Sequence, residues 1–187
     1  MGDREILIGV TGGIAAYKTA SLVSKLVQAG FGATVVMTRA ATKFVGPATF
    51  EALSGRPVYS KVFGEPDKSL GSHIELVQRA ELLCVAPATA DFLGKSAHGI
   101  ADDLLSTLYL SFSGIVLMAP AMNHVMWEKP SVQRNIRRLE EDGVELVPPE
   151  EGWLSCREVG AGRMAEPETI LAAIDNALPD NALPSAP

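Results

Sequence analysis

The sequence predicts a three-layer α/β fold, in which an open parallel sheet of six strands carries helices on both faces. Three observations favour this class. Short continuous apolar runs, such as Leu82 to Ala86, are typical of strands covered on both faces. Segments with the spacing of amphipathic helices separate these runs. Polar or glycine-rich clusters follow directly after the predicted strands, where open α/β sheets form their ligand crevices.

Length and composition favour a protein that binds a small molecule and has one domain, over residues 1–178. A chain of 187 residues with 47% hydrophobic content can bury one sizeable core. Its net charge of -6 argues against nucleic acid as a partner, because a phosphate backbone requires a basic face. No apolar run approaches the roughly 20 residues that span a bilayer, and the N-terminus has no signal-peptide pattern. We therefore expect a cytoplasmic protein without membrane contact.

The first predicted unit is a strand, a glycine turn and a helix. Glu5 to Thr11 forms the strand, Gly12 and Gly13 the turn, and Ile14 to Ala29 the helix. A helix that begins after two glycines presents free backbone N–H groups, so this turn is a candidate phosphate site. The alternative is a turn that only permits close packing.

The second strand, Ala33 to Met37, is followed by Thr38. Its hydroxyl can reach the same phosphate or can cap the next helix. A short helix is predicted over Gly46 to Leu53 and a loop over Gly64 to Gly71. His73 follows that loop, and a lone histidine is more often structural than catalytic.

The next two strands also end in polar clusters. Leu82 to Ala86 leads into the segment Thr89 to Phe92, and a helix with two acids in its first turn is predicted over Ala101 to Thr107. Ile115 to Met118 leads into the stretch Ala119 to Trp127. Within that stretch Asn123 supplies one acceptor and two donors, which suits it to holding a carboxylate or an amide. The alternative is that Asn123 caps a helix whose Met and Trp side chains only pack.

The last part of the chain contains a long segment without periodicity. A helix over Ser131 to Asp142 and a last strand over Val144 to Val147 precede it. The segment 148–167 is a long loop, which is usually a functional flap or a disordered connector. A final helix begins at Pro167, and the tail 179–187 is expected to be disordered. A structural disulfide is not expected, because one of the two cysteines lies in an apolar run.

The polar clusters converge on one edge of the predicted sheet, because the carboxyl ends of parallel strands lie together. This convergence favours a phosphate-bearing cofactor more than any single motif does. The clusters are Gly12-Gly13, Thr38, Thr89 and Asn123.

Three motifs then carry a resemblance that covers Glu5 to Leu178. They are Thr11 to Lys18, Pro120 to Trp127, and Cys156 with the following run Gly160 to Pro167. With these motifs the chain resembles the flavin-containing, homo-oligomeric cysteine decarboxylases, and most closely those that act on phosphopantothenoylcysteine. The resemblance implies a Rossmann-like, flavodoxin-like fold and an FMN cofactor. The segment around His73 is also similar to the family's histidine motif, which implies a catalytic role for that residue.

The resemblance also implies the residues of the site. His73, Asn123 and Cys156 would be catalytic, with Cys156 in a flap that closes over the substrate. Asn123 would also bind the substrate, together with Met126 and Arg163. No metal ligand is predicted. The implied FMN-binding residues are Gly12, Gly13, Ile14, Thr38, Thr89, Ala90, Asp91, Phe92, Ser106 and Ala121.

The implied reaction converts 4'-phosphopantothenoylcysteine to 4'-phosphopantetheine in coenzyme A biosynthesis. A cysteine carboxylate needs an electron sink before carbon dioxide can leave. Oxidation of the carbon that bears sulfur gives a thioaldehyde, loss of carbon dioxide gives an enethiol, and the reduced flavin returns its electrons. Cys156 would donate the accompanying proton, and His73 would act as a base or as an orienting group.

The family also implies partners and departures. Its sites lie at the subunit interface of a homotrimer, or of a dodecamer built from trimers, and a separate phosphopantothenate–cysteine ligase is expected upstream. Arg157, Asp91 and His98 stand where the family usually has glycine, asparagine and asparagine. The alternatives are a peptidyl-cysteine decarboxylase of peptide-antibiotic maturation, a prenylated-flavin synthase, and a non-catalytic flavin-binding regulatory subunit.

Overall fold

The computed structural model describes residues 4–61, 72–153 and 157–178. The strands of its central sheet are β1 Glu5–Val10, β2 Gly32–Met37, β3 Leu82–Ala88, β4 Ile115–Pro120 and β5 Glu145–Leu146. The sheet is parallel, with the strand order β2-β1-β3-β4-β5. Residue pairing runs from Glu5 opposite Gly32 to Val10 opposite Met37 between β1 and β2, without a break.

Helices cover both faces of this sheet, as predicted. The helices are α1 Ala16–Gln28, α2 Pro47–Ser54, α3 Ser72–Arg79, α4 Ala90–Ala97, α5 Leu104–Ser111, α6 His124–Trp127, α7 Pro130–Glu141 and α8 Pro167–Ala177. Successive residues of β1 point into opposite cores: Ile6 and Ile8 pack with α1, α2 and α8, whereas Leu7 packs with α4, α5 and α7. The predicted α/β class with helices on both faces is confirmed.

The predicted number of six strands is wrong, because the parallel sheet described by the structure has five. Beyond the edge strand β2, the chain adds only a one-residue bridge between Val36 and Tyr59. The Tyr59 N–H donates to Val35 O at 3.0 Å, and Met37 N–H donates to Tyr59 O at 2.8 Å. Pro57, which has no N–H to donate, lies just before this bridge and disfavours a longer ladder.

The segment predicted as a flap loop, 148–167, contains a β-hairpin. Its strands, β6 Glu150–Trp153 and β7 Val159–Arg163, pair antiparallel with each other and remain separate from the central sheet. This pairing uses backbone groups of glycine-rich strands and therefore needs little of the side-chain alternation that marks a strand in a sequence.

One further prediction differs in extent from the structure, and two cannot be compared with it. The helix predicted from Ala101 begins at Leu104, because Asp103 and Ser106 form a capping box that fixes its N-terminus. The predicted loop at 64–71 and the predicted disordered tail at 179–187 lie outside the described residues. In the described part of the chain, no helix has the length and apolar character needed to cross a membrane.

Candidate functional site

A cavity of about 1070 Å³ lies at the carboxyl edge of the sheet. Its walls come from the segments that follow β1, β2, β3 and β4, and from the hairpin. It brings together twelve of the residues predicted from the sequence: Gly12, Gly13, Ile14, Thr38, Thr89, Ala90, Asp91, Phe92, Ala121, Asn123, Met126 and Arg163.

The turn between β1 and α1 leaves backbone donors free at the cavity wall. The amides of Gly12, Ile14 and Ala15 donate no hydrogen bond within the described residues, whereas Gly13 N–H donates to Thr11 O at 2.9 Å. These amides lie just before a helix of 13 residues, whose N-terminus carries partial positive charge. The turn can therefore bind an anion such as a phosphate.

The turn is also closely packed, most of all at Gly12. A Cβ atom at Gly12 would overlap the Cβ of Ala40 in the segment after β2. A Cβ at Gly13 would lie 3.3 Å from Thr89 Cγ2. Anion binding and close packing, the two interpretations that the sequence left open for this turn, are therefore compatible.

Two threonines connect the β1 and β3 ends of the cavity. The Thr11 hydroxyl donates to Pro87 O at 2.6 Å and accepts from Thr89 N–H at 3.1 Å. The Thr89 hydroxyl lies 3.2 Å from Thr11 Oγ1 and accepts weakly from Phe92 N–H at 3.5 Å, which caps α4. These contacts fix the position of a hydroxyl beside the free amides.

Thr38 lines the cavity just before the short 3₁₀ turn Ala41–Lys43, whose N-cap is Ala40. Its Oγ1 accepts a hydrogen bond from Ala41 N–H at 3.2 Å, so the side chain contacts the first residue of the turn. A hydroxyl used as an acceptor in this way can still donate its proton to an anion.

Two aspartates and a lysine form a group of ion pairs at the side of the cavity formed by α4. Lys95 Nζ pairs with Asp91 at 3.2 Å and with Asp102 at 3.1 Å. Burial lowers the pKa of Lys95, but its hydrogen bonds to Asp102 and Asp91 outweigh that effect and leave the pKa raised. Asp91, which departs from the usual asparagine of the family, is thus charge-compensated by a neighbouring lysine.

Ser106 is the predicted cofactor residue that the structure does not bring to the cavity wall. It is fully buried, and its hydroxyl donates to the Asp103 carboxylate at 2.8 Å. Asp103 itself lines the cavity. Within the described residues, Ser106 therefore acts on the site only by holding Asp103.

Asn123 lines the cavity as the N-cap of α6. Its Oδ1 accepts a hydrogen bond from Met126 N–H at 2.8 Å, so the capping role considered in the sequence is present. Its Nδ2 donates no hydrogen bond within the described residues. The amide donors of Asn123 therefore remain available to a ligand.

The hairpin packs directly on the Asn123 segment. Met122 N–H donates to Gly162 O at 2.9 Å. Gly162 has φ +132, and a Cβ there would overlap Met122 O. The side chain of His124 lies close to Gly160, and its Nδ1 is 3.5 Å from a carboxylate oxygen of Glu158. The hairpin thus forms one wall of the cavity.

A charged group joins α1 to the base of the hairpin. The buried Lys18 donates to Met164 O and to Glu166, both at 3.0 Å. Arg163 also pairs with the Glu166 carboxylate. Burial, and then the neighbouring Arg163 charge, lower the pKa of Lys18. One carboxylate therefore holds two cations at the cavity wall.

Sequence reasoning missed several of the residues that line the cavity. Tyr17 and Trp153 contribute aromatic surface, with 61% and 66% of their side chains exposed. Arg39 and Lys43 contribute positive charge. Arg39 and Lys43 follow the end of β2, and this position was the signal that could have identified them. Tyr17 on α1 and Trp153 on β6 carry no such signal, because only the folded arrangement brings them to the cavity.

Two of the predicted catalytic residues cannot be placed in the site by their side chains. His73 is the second residue of α3, and its side chain lies outside the described residues. Cys156 also lies outside them, between β6 and β7 of the hairpin. Their catalytic roles stay predictions.

The cavity residues fit a cofactor with a phosphate group and a largely apolar body. Free amides and two threonine hydroxyls provide the phosphate site, and the close fit at Gly12 leaves no room for a side chain there. Ala90, Phe92 and Ala121 provide apolar wall. Most of the exposed wall is apolar, which is usual for cofactor sites.

Comparison with known proteins agrees with this arrangement. The family model described as Flavoprotein matches residues 1–178. The coenzyme A biosynthesis bifunctional protein CoaBC of Bacillus subtilis (strain 168) is 49% identical over 171 residues. That alignment covers 91% of this chain and 42% of the relative. The chain therefore spans less than half the length of this curated relative.

Two solved structures share the fold. A PPC decarboxylase with a cysteine replaced by serine, complexed with pantothenoylaminoethenethiol, has a TM-score of 0.81 and 28% identity over 91% of this chain and 96% of that chain. The FMN-dependent cysteine decarboxylase SpaF has a TM-score of 0.81 and 34% identity over 93% of this chain and 94% of that chain.

Proposed function

We propose that this chain, which belongs to the Flavoprotein family, catalyses the FMN-dependent decarboxylation of 4'-phosphopantothenoylcysteine to 4'-phosphopantetheine in coenzyme A biosynthesis. The observation that carries the proposal is one cavity that contains both an anion-binding turn and the free amide of Asn123. The similarity to a CoaBC protein and to a PPC decarboxylase supports this choice of substrate.

FMN would be held chiefly at the edge of β1 and β3. The amides of Gly12, Ile14 and Ala15 and the hydroxyls of Thr38 and Thr89 form the donor set for its phosphate. The chemistry that FMN supplies when bound is a reversible two-electron oxidation, which provides the electron sink that decarboxylation requires.

The residues of this chain would orient the substrate and control its protons. Asn123 donates its amide hydrogens to the substrate carboxylate, while its oxygen stays engaged in the helix cap. Met126 borders the same space. The hairpin excludes water from the reacting atoms, because it closes one side of the cavity.

Three further residues complete the proposal. Cys156 donates the proton that accompanies reduction of the enethiol, as its place between the two hairpin strands suggests. His73 acts on the reacting thiol or carboxylate, as a base or as an orienting group. Arg163 binds an anionic group of the substrate in competition with Glu166, its present partner.

We further propose a homotrimer, or a dodecamer of trimers, in the cytoplasm. Exposed apolar side chains surround the site: Ile14, Tyr17, Val125 and Trp153 each have more than half of their surface exposed. Such a patch on one side of a cavity suits a subunit interface. Light scattering would give three or twelve times the mass of the chain, and a monomeric mass would contradict the proposal.

The reaction is tested by incubating the purified, FMN-loaded protein with 4'-phosphopantothenoylcysteine and weighing the product by mass spectrometry. The expected product is 4'-phosphopantetheine. A product that is lighter by two hydrogens would instead indicate an enzyme that stops at the enethiol, as expected for a peptidyl-cysteine decarboxylase. Unchanged substrate would favour a non-catalytic flavin-binding protein.

A further inference from the structure

The cavity wall carries five cationic side chains, and three of them are compensated. Lys18 and Arg163 share the carboxylate of Glu166. Lys95 pairs with two aspartates. Arg39 and Lys43 make no ion pair with any residue that the structure describes. They are therefore the uncompensated charges of this wall.

The uncompensated pair lies on a short, well-fixed turn. Arg39 lies just before the 3₁₀ turn Ala41–Lys43 and Lys43 is its last residue, and both side chains line the cavity. Ala41 N–H bonds to both the hydroxyl and the carbonyl of Thr38, at 3.2 and 3.0 Å. Ala40 lies against Gly12, so the turn is held beside the anion-binding amides.

We propose that Arg39 and Lys43 form a phosphate-monoester subsite, separate from the amides at the start of α1. An arginine fork and a lysine point charge together suit a dianionic phosphate, and both side chains are exposed to a ligand in the cavity. Their two uncompensated positive charges attract an anion to this wall, although the chain as a whole has a net charge of -6.

The need for a second subsite rests on the proposed function. That function brings two phosphate monoesters into one cavity, one on the cofactor and one on the substrate. Two dianions repel each other and cannot share one set of donors. The free amides accept one phosphate, and the Arg39–Lys43 pair accepts the other.

The test measures binding in two arms with the Arg39→Gln/Lys43→Gln double variant. Calorimetry compares 4'-phosphopantothenoylcysteine with pantothenoylcysteine on the FMN-loaded protein. Flavin fluorescence compares FMN with riboflavin on the flavin-free protein. In one arm, the preference for the phosphorylated compound should fall roughly tenfold or more, as expected for lost charge-assisted hydrogen bonds. The arm that responds identifies which phosphate the pair binds.

The Arg137→Gln/Arg138→Gln double variant on α7 is the control, because neither residue lines the cavity and the variant loses the same two positive charges. It should leave both preferences unchanged. The subsite is disproved if the double variant keeps both preferences within about twofold of wild type. Dissociation of the oligomer with both preferences intact would also disprove it, and would assign the pair to a subunit contact.

Different results would contradict the proposed function and the proposed subsite. If the wild-type protein bound phosphopantothenoylcysteine but never released carbon dioxide, the proposed reaction would be wrong and the subsite would be unaffected. If the wild-type protein showed no preference for the phosphorylated compound in either arm, the subsite would be disproved, even where turnover is normal.

Discussion

At the scale of single residues, the candidate site depends on how each polar atom is used. The oxygen of Asn123 is engaged by Met126 N–H, and the nitrogen is free within the described residues. The Thr38 hydroxyl is likewise engaged as an acceptor and free as a donor. The free atoms are thus donors, which suits the binding of phosphate and carboxylate groups.

Asn123→Asp should abolish turnover without releasing FMN. Aspartate caps a helix as well as asparagine does, so α6 stays in place, but the amide donors are lost and a repelling charge is added. We expect turnover to fall by roughly 10²–10³-fold, the usual effect of removing one well-placed donor. Product formation and the flavin absorbance of the purified variant check this.

Asn135→Asp is the matched control, because it makes the same change on α7, outside the cavity. It should retain both turnover and flavin. If Asn123→Asp kept wild-type turnover, the substrate-binding role of Asn123 would be wrong.

Cys156→Ser should let the oxidised, decarboxylated enethiol accumulate, because a hydroxyl is a poorer proton donor than a thiol. Mass spectrometry of the quenched reaction would detect this species. A fully reduced product formed at the wild-type rate would refute the role given to this thiol. Cys84→Ala removes the other cysteine, which is buried in β3, and should form the reduced product normally.

At the scale of elements, the strand ends were predictable and the hairpin was not. The glycine turn, Thr38 and Asn123 each follow an apolar run, and parallel strands bring their carboxyl ends together. The hairpin instead forms through backbone pairing of glycine-rich strands, and its position depends on contacts such as Met122 N–H with Gly162 O. No local pattern indicates such contacts.

Ser106 and Tyr59 show the same limit. Ser106 was named through the family resemblance, but its hydroxyl is used within the cap of α5, a contact that depends on the exact start of that helix. The bridge at Tyr59 is one residue long and therefore has no periodicity to detect. A local capping contact decided the outcome at Ser106, and a bridge of one residue decided it at Tyr59.

Gly12→Ala should weaken both folding and FMN binding. The added methyl group overlaps Ala40, so the turns after β1 and β2 must separate. We expect a loss of about 1–3 kcal/mol in the free energy of unfolding, as for other overpacked sites, and weaker quenching of FMN fluorescence. Urea unfolding and flavin titration measure the two effects.

Gly94→Ala is the control for this change. A Cβ at Gly94 would lie 3.6 Å from the nearest atom, Asn135 Nδ2, and alanine favours the helix α4. It should be neutral or slightly stabilising. Equal effects of the two substitutions would contradict the close packing at Gly12.

At the scale of the whole molecule, the sheet core affects stability at alkaline pH. Burial raises the pKa of the Cys84 thiol to about 12, from a reference of 9.0. Between these values the unfolded chain releases this proton and the native chain keeps it. The free energy of unfolding should therefore fall as the pH rises, by about 1.4 kcal/mol per unit from this group.

Cys84→Ala isolates this effect, because the other titrating groups are common to both proteins. Urea unfolding at several pH values above 9, in reductant, should show a steeper loss for the wild type than for Cys84→Ala. Parallel losses in the two proteins would mean that the thiol is not protected by the core.

The arrangement of the whole molecule also lets one cavity hold both a cofactor and a substrate. Four strand ends and the hairpin contribute to it, so a cofactor and a substrate can be held side by side. The proposed reaction depends on a flavin bound at the carboxyl edge of the sheet.

Titration of flavin-free protein with FMN, followed by flavin fluorescence and then gel filtration, tests that dependence most directly. We predict quenched emission that saturates at one FMN per chain and yellow colour that stays with the protein peak. Emission that follows free FMN throughout the titration, with a colourless protein peak, would contradict the account.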